Sequence, residues 1–179
     1  MKTLIIVAHP DLQASRINRA WVEELSKQEN VTVHSLYNEY PSGAIDVKHE
    51  QELLDSHDRV IFQYPFYFYS TPPLLTQWFN DVLEVGWAFG PGGDHMRGKQ
   101  IGIAISAGGT AAAYQDGGHN LFTIQDLTKP MASIANYVHA DYLPLFVLHG
   151  VNNVTDEELA ASRAAYVNHL AAVEPVVYK

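Results

Sequence analysis

The chain has 179 residues, 47% of them apolar and 17% charged, the size and composition of one globular domain with a single sizeable core. Twenty acidic against eleven basic residues give a formal net charge of −9, which argues against a nucleic-acid partner or an anionic membrane surface. Any anionic cofactor has to be held locally, by backbone N–H groups and one or two bases, and the absence of cysteine removes disulfides, thiolate catalysis and cysteine-ligated metals together.

The opening MKTLIIVAHPD imitates a signal peptide only briefly, because its apolar run stops at His9-Pro10-Asp11. No transmembrane run follows, so a cytoplasmic protein without membrane insertion is expected. Leu4 to Ala8 is continuously apolar rather than alternating, the mark of a strand covered on both faces in a parallel sheet. After the loop Asp11-Leu12-Gln13-Ala14, Ser15 stands where an N-cap belongs. Ile17, Ala20, Trp21 and Leu25 then form an apolar stripe that predicts a helix to about Lys27. Val31, Val33 and a late Ser35-Leu36 give a second strand. Tyr37 to Pro41 reads as a loop too polar and kinked for regular structure, and Asp46 to His57 as an acidic helix.

Val60 to Gln63 is a third, short strand that ends at Tyr64-Pro65. Phe66, Tyr67, Phe68 and Tyr69 follow nearly unbroken. Ser70-Thr71-Pro72-Pro73 then opens a capped helix whose Leu74, Leu75, Trp78, Phe79, Val82 and Leu83 recur at helical spacing until Gly86. Gly86 to Gly98, GWAFGPGGDHMRG, is longer than most connections and reads as a functional or interface loop. Ile101 to Ser106 is a fourth strand, leading into Ala107-Gly108-Gly109-Thr110. Lys129-Pro130 starts a helix with Met131, Ile134, Ala135 and Val138 on its buried stripe. Tyr142 to Leu148 supplies a fifth strand, and Pro144 marks it as an edge. Thr155-Asp156-Glu157-Glu158 is a capping box for a last helix to about Leu170. Five strands alternating with five helical segments specify a three-layer α/β sandwich in one domain, residues 1–179. A five-stranded parallel sheet in the flavodoxin-like order 2-1-3-4-5 is expected, with its switch point between the first and third strands.

Three unusual loops converge on that rim: the Ser15 turn, the aromatic loop and the Gly108-Gly109 turn. The first N–H groups of a helix lack intrahelical partners and can cradle a phosphate, helped by the Ser15 hydroxyl and the Arg16 guanidinium. A plainer reading makes Ser15 an ordinary cap and Arg16 a solvated first-turn residue. The aromatic loop offers ring faces and N–H groups to a planar cofactor, of which a flavin suits best, or else simply packs the core and rim. Gly108-Gly109 permits close backbone approach to a ligand, or makes a tight turn. Tyr114 can donate to a flavin's pyrimidine edge and His119 can supply a proton or positive charge near neutrality, unless each is structural. The nine histidines form no HxxxH or HExxH pair, so no metal is expected, and no GxSxG elbow is present.

Four of these segments in order resemble the flavodoxin-like NAD(P)H quinone oxidoreductases. They are His9-Pro10 with Ser15 and Asn18; Gln63-x-Pro65 with the aromatic quartet and Ser70-x-Pro72-Pro73-Leu74-Leu75; Gly86-Trp87-Ala88-Phe89-Gly90; and Gly108-Gly109. The likeness runs from Lys2 to about Leu170 and is nearest to the short bacterial branch, which includes the general stress protein 14 group and the ancillary quinone reductase of glutathione-gated potassium-efflux systems. It implies two-electron, ping-pong hydride transfer from NAD(P)H through FMN, with FAD the alternative, to a quinone. By resemblance, Ser15, Arg16, Ile17 and Asn18 are the phosphate and ribityl cradle, with His9 their neighbour. Pro65, Phe66, Tyr67, Phe68 and Tyr69 hold the isoalloxazine, Ser106, Ala107, Gly108 and Gly109 touch its pyrimidine end, and Tyr114 and His119 stabilise the reduced flavin. Family members often carry Thr-Thr or Thr-Gly where this chain has Ser106-Ala107, so a hydroxyl contact at position 107 is missing. Between Tyr114 and His119 the chain is one residue shorter than in the mammalian enzymes. The family's active site lies at a homodimer interface, to which Trp87 and Phe89 resemble the partner's aromatic pair. Two rivals are a one-electron carrier of the flavodoxin type and a regulatory subunit of a cation-efflux transporter.

Overall fold

The computed structural model describes residues 1–176, so the last three positions of the expected domain lie outside the described residues. Strands β1 (Thr3–Val7), β2 (Val31–Ser35), β3 (Arg59–Pro65), β4 (Gln100–Ser106) and β5 (Asp141–Tyr142) form a parallel sheet in the order β2-β1-β3-β4-β5. A sixth strand, β6 (Phe146–Leu148), also pairs with β4. The flavodoxin-like order expected from the sequence is thus observed, with one strand more. The expected fifth strand is split at Pro144: both halves pair β4 in parallel, and between them the Leu143 N–H still donates to the Ile101 carbonyl at 2.8 Å. Proline cannot donate to a ladder, so the break falls at the edge of the sheet.

The helices are α1 (Arg16–Leu25), α2 (Leu36–Glu39), α3 (Val47–Asp55), α4 (Pro73–Val82), α5 (Ile124–Leu127), α6 (Lys129–Tyr137) and α7 (Asp156–Ala172), with a 3-10 turn at Ala111–Ala113. On one face of the sheet, Trp21 and Leu25 of α1 and Tyr166 of α7 pack on Ile5, Val7 and Ile61. On the other, Leu54 of α3, Leu75 and Trp78 of α4, and Met131 and Ala135 of α6 cover Leu4, Ile6, Phe62 and Ile103. Coverage on both faces explains why β1 and β3 are buried at every position and why Leu4 to Val7 and Val60 to Phe62 read as apolar runs. Each fully buried Leu, Ile or Phe stabilises the fold by roughly 1.5–3 kcal/mol, so these strands anchor the rim that follows them.

Ser15 and Thr155 cap α1 and α7 as expected, the latter with a full capping box. Other boundaries differ from the sequence reading. β3 continues through Tyr64 to Pro65, which sits opposite Ser106 of β4. Proline, having no N–H, is tolerated at that last ladder position. Neither Ser70 nor Thr71 caps α4: Pro72 holds the cap position without a side-chain bond, Pro73 begins the helix, and the Thr71 and Thr76 hydroxyls pair at 2.7 Å. α4 stops at Val82, before Gly86, whose φ of +83° serves the next loop. Residues 36–39 form a short helix rather than a loop, placing Leu36 and Tyr40 in the core.

Candidate cofactor cleft

The carboxyl ends of β1, β3 and β4 open into a cleft of about 380 Å³. One wall is the start of α1, residues Ser15 to Asn18, with His9 beside it. The floor is Pro65, Phe66, Tyr67, Ser106 and Gly108. The opposite wall is Val151 and Asn152, from the loop between β6 and α7. Among the lining residues described, Arg16 alone carries a formal charge at neutral pH. Ser15 Oγ accepts from the Asn18 N–H at 3.1 Å, while the N–H groups of Arg16 and Ile17, in the first turn, have no intrahelical acceptor. The macrodipole adds positive potential at the same wall.

A buried polar relay underlies the cleft. Asn18 Nδ2 donates to Ser106 Oγ at 2.9 Å, and Gln63 Nε2 donates to the Asn18 carbonyl at 3.1 Å and to its Oδ1 at 3.3 Å. Gln63 is 0% and Asn18 1% exposed, yet Gln63 Oε1 has no hydrogen-bond partner among the described residues. A buried acceptor left open costs about 1–3 kcal/mol, so its persistence points to a donor supplied from outside the chain.

The aromatic loop is pinned at its base and bare at its tip. The Phe66 N–H donates to the Ser106 carbonyl at 2.9 Å, and the Ser70 N–H to the Tyr67 carbonyl at 2.9 Å. Between them, Phe68 and Tyr69 adopt φ of +45° and +62°, a region that bulky side chains rarely enter, and Phe68 is 97% exposed. Such strain persists only where the surroundings over-determine it, and it concentrates at ligand sites. Tyr69 Oη donates to Asn120 Oδ1 at 3.1 Å, joining this loop to the segment after the glycine turn. The two turn glycines have different reasons. A Cβ on Gly109 would meet Tyr114 Cε2 at 2.8 Å, so its smallness serves internal packing. A Cβ on Gly108 would find nothing closer than Asn152 Nδ2 at 3.8 Å, so the space above it belongs to the cleft.

The sequence-derived candidates divide accordingly. His9, Ser15, Arg16, Ile17, Asn18, Pro65, Phe66, Tyr67, Ser106 and Gly108 all line the cleft. Ala107 does not: its side chain is fully buried, its N–H donates to the Leu148 carbonyl, and its carbonyl accepts from the Val151 N–H. A side chain at position 107 points into the core, so a hydroxyl there is not positioned to serve the cleft. Tyr114 is buried behind Gly109, with ring centroids 6.1 Å from Phe66 and 5.5 Å from His149. His119 is exposed and is not among the cleft walls, and Asn120 rather than His119 bonds the aromatic loop. Trp87 stacks on His95 at 4.9 Å, whereas Phe89 turns to Tyr137 at 4.8 Å, so the expected aromatic pair faces two neighbourhoods. Their glycine-rich loop is anchored, with Ala88 and Met96 in the core. Sequence reasoning passed over Gln63, Asn120, His149, Val151 and Asn152 as site residues.

Burial sets the protonation states. Burial lowers the His9 pKa against the raising effect of Asp11, and the Asp11 N–H donates to its Nδ1 at 3.1 Å, so the neutral ring carries its proton on Nε2. Burial also lowers the His149 pKa, and raises that of Tyr114, which keeps its phenolic proton and remains a donor. A larger cavity, about 510 Å³, opens at the amino ends of the strands beside Arg59. That guanidinium is already engaged by Gln100 Oε1 at 2.8 Å and by the Leu170 carbonyl. In open α/β sheets ligands bind beyond the carboxyl ends, which favours the smaller cleft.

A parallel sheet with helices on both faces and a cleft at its switch point defines a doubly wound α/β protein. The chain belongs to the family described as having a flavodoxin-like fold, whose profile matches residues 1–170. Two curated relatives are similar along their lengths. An uncharacterized NAD(P)H oxidoreductase of Bacillus subtilis, YdeQ, is 47% identical over 97% of this chain and 88% of its own. The glutathione-regulated potassium-efflux system ancillary protein KefG of Yersinia pestis is 37% identical over 94% and 93%. Among solved structures, general stress protein 14 of Treponema denticola, in complex with FMN, superposes with a TM-score of 0.92 at 37% identity over 96% of this chain and 98% of that one. An NADPH-quinone reductase from P. pentosaceus gives 0.87 at 34% identity over 96% and 98%.

Proposed function

We propose that this protein is an FMN-dependent NAD(P)H:quinone oxidoreductase, a cytoplasmic homodimer that transfers two electrons by a ping-pong route. The observation that carries the reading is the cleft with its buried relay: helix-start N–H groups and Arg16 at one end, and the open Gln63 acceptor with the Ser106 hydroxyl beneath the middle. Those groups suit a ligand that combines phosphate, hydroxyls and ring amide functions, and FMN is such a molecule. The FMN-bound relative supports FMN over FAD, and the relatives named NAD(P)H oxidoreductase and NADPH-quinone reductase support the substrates.

Ser15, Arg16, Ile17 and Asn18 would hold the phosphate and ribityl chain, Pro65 to Tyr69 the ring, and Ser106, Gly108 and Gly109 its pyrimidine end. When bound, the flavin supplies hydride acceptance and two-electron donation. The chain's own contributions are position, exclusion of water and hydrogen-bond donors. Tyr114, buried behind Gly109, keeps its proton and would stabilise negative charge at the ring edge. Neutral His9 lines the cleft without adding a charge.

The proposed homodimer seam is the apolar groove between α4 and α6, about 480 Å³, lined by Phe79, Leu83, Phe89, Ile134 and Tyr137. Tyr137 is 62% exposed there, a poor state for a large ring on a lone chain. KefG favours a second reading, in which the reductase also docks as an ancillary subunit on a cation-efflux system. Co-purification with such a transporter tests it.

The deciding experiment releases the bound yellow cofactor, identifies it by mass, and follows menadione reduction with NADH and with NADPH. FMN at about one per chain and turnover with a nicotinamide are expected. A chain that takes up no flavin, or holds FAD stoichiometrically, contradicts the proposal. Sedimentation at micromolar concentration tests the dimer, with a fully active monomer as the adverse result.

A further inference from the structure

Arg16 opens α1 and lines the cleft, yet its guanidinium reaches across to the opposite loop. Nη1 donates to the Val154 carbonyl at 2.6 Å and Nη2 to the Asp156 carboxylate at 2.6 Å. These contacts connect residues 138 and 140 positions apart and tie together the two walls of the cleft, α1 on one side and the β6–α7 loop on the other. For folding the pair is of little use: the Asp156 side chain is 97% and the Arg16 side chain 45% exposed, and exposed pairs are worth about 0–1 kcal/mol. For an anion site it is at first sight adverse, since it sets a carboxylate beside the one cation lining the cleft. Geometry resolves the conflict. A guanidinium is a rigid fork of five N–H donors, and only two are spent on the loop. Fixing those two removes the rotamer freedom that an exposed arginine would otherwise lose on meeting a ligand.

We propose that Asp156, with the Val154 carbonyl, is a positioning residue that holds the Arg16 fork at the cleft so that its remaining N–H groups meet the terminal phosphate of FMN. The proposal rests on the FMN reading and deepens it, by assigning selection for the phosphorylated flavin to a latch between two distant segments. Asp156 acts through Arg16 and touches no ligand itself.

Apoprotein titrated with FMN and with riboflavin, which lacks the phosphate, tests this by flavin fluorescence. Wild type should bind FMN well ahead of riboflavin. Asp156→Ala should weaken FMN about fivefold and leave riboflavin unchanged, as expected for loss of an oriented charge-assisted contact. Asp156→Asn, which keeps an acceptor oxygen for Nη2, should stay within about twofold of wild type. Arg16→Ala should lose the preference, and adding Asp156→Ala to it should change nothing further. If Asp156 acted only as a repelling charge, both of its variants would tighten FMN, and that result overturns the proposal. Equal weakening of FMN and riboflavin overturns it too, because it would show a general loss of structure. Wild-type apoprotein that binds neither flavin overturns the parent FMN reading instead, which keeps the two failures apart.

Discussion

Two buried polar clusters lie on either side of this molecule, and they are built to opposite rules. Glu50 of α3 is fully buried with all its needs met: His34 Nε2 lies 2.7 Å and Tyr40 Oη 2.6 Å from its Oε1, and Trp78 Nε1 donates to Oε2 at 2.7 Å. Gln63, equally buried beneath the cleft, donates to Asn18 but leaves its carbonyl oxygen open. The closed cluster ties β2, α2, α3 and α4 together and has no vacancy for a ligand. The open one spans β3, α1 and β4 at the switch point, where a ligand can complete it. A satisfied buried network reads as structure; an incomplete one reads as a site only where, as at Gln63, its partners also line a cleft. The Tyr166 hydroxyl, also unpartnered among the described residues, lies in the core instead.

The closed cluster should give the largest effect on disruption. Glu50→Ala removes the acceptor of three donors and should cost about 3 kcal/mol of stability, measured by urea unfolding, with flavin affinity of the folded protein little changed. Its pH dependence follows from the carboxyl's pKa. Burial alone would raise it, but the His34, Tyr40 and Trp78 contacts outweigh burial and hold it below the usual 4.5. A depressed carboxyl contributes stability that is present above its unfolded value and is lost as pH falls through the folded one. Wild type should therefore weaken below about pH 4.5, and Glu50→Gln should start lower but decline less steeply. A Gln variant with the wild-type acid slope would remove Glu50 from the account.

The open cluster should respond in the reverse sense. Gln63→Leu removes one unsatisfied acceptor but leaves the buried Asn18 Oδ1 without its donor, so stability should fall by about 1 kcal/mol, well short of the Glu50→Ala loss. Flavin affinity should fall by about tenfold, the worth of one good hydrogen bond to the ligand. If this variant unfolds as readily as Glu50→Ala while binding flavin normally, the distinction between the two clusters fails.

What could be read from the sequence divides along a similar line. β1, β3 and β4 announce themselves because a strand covered on both faces is mostly apolar, and Ser15 and Thr155 because capping is local chemistry. α2 and α5, of four residues each, are too short to show a period. Glu50 was legible in principle, since it shares the buried stripe of α3 with Leu54 at the i, i+4 spacing, but its charge disguised it as a surface acid. Gln63 sits inside an apolar run, where one polar residue carries no address. Asp156 matters through Arg16, 140 residues away, and Asn152 through the cleft it shares with Gly108. Such pairings arise from the fold, not from any local pattern. Tyr114 and His119, five positions apart, looked like a team, and the chain turns between them at Gly117 with φ of +74°.

That pair gives the last and smallest contrast, buried against exposed, within the site itself. Negative charge developing at the edge of a reduced flavin is stabilised best by a donor that water cannot replace. Tyr114 is 6% exposed and, with its pKa raised by burial, keeps its proton across the working pH range. Tyr114→Phe should slow flavin reduction by NAD(P)H about tenfold, below the hundredfold or more typical of a donor in direct contact, because Tyr114 lies behind Gly109 rather than on the cleft wall. His119 is exposed, so solvent can take over whatever bond it makes, and His119→Ala should stay within about twofold, under 1 kcal/mol in the barrier. Rapid-mixing reduction traces of both variants measure the difference. A loss at His119 matching or exceeding that at Tyr114 would show that the exposed loop closes over the cleft during turnover.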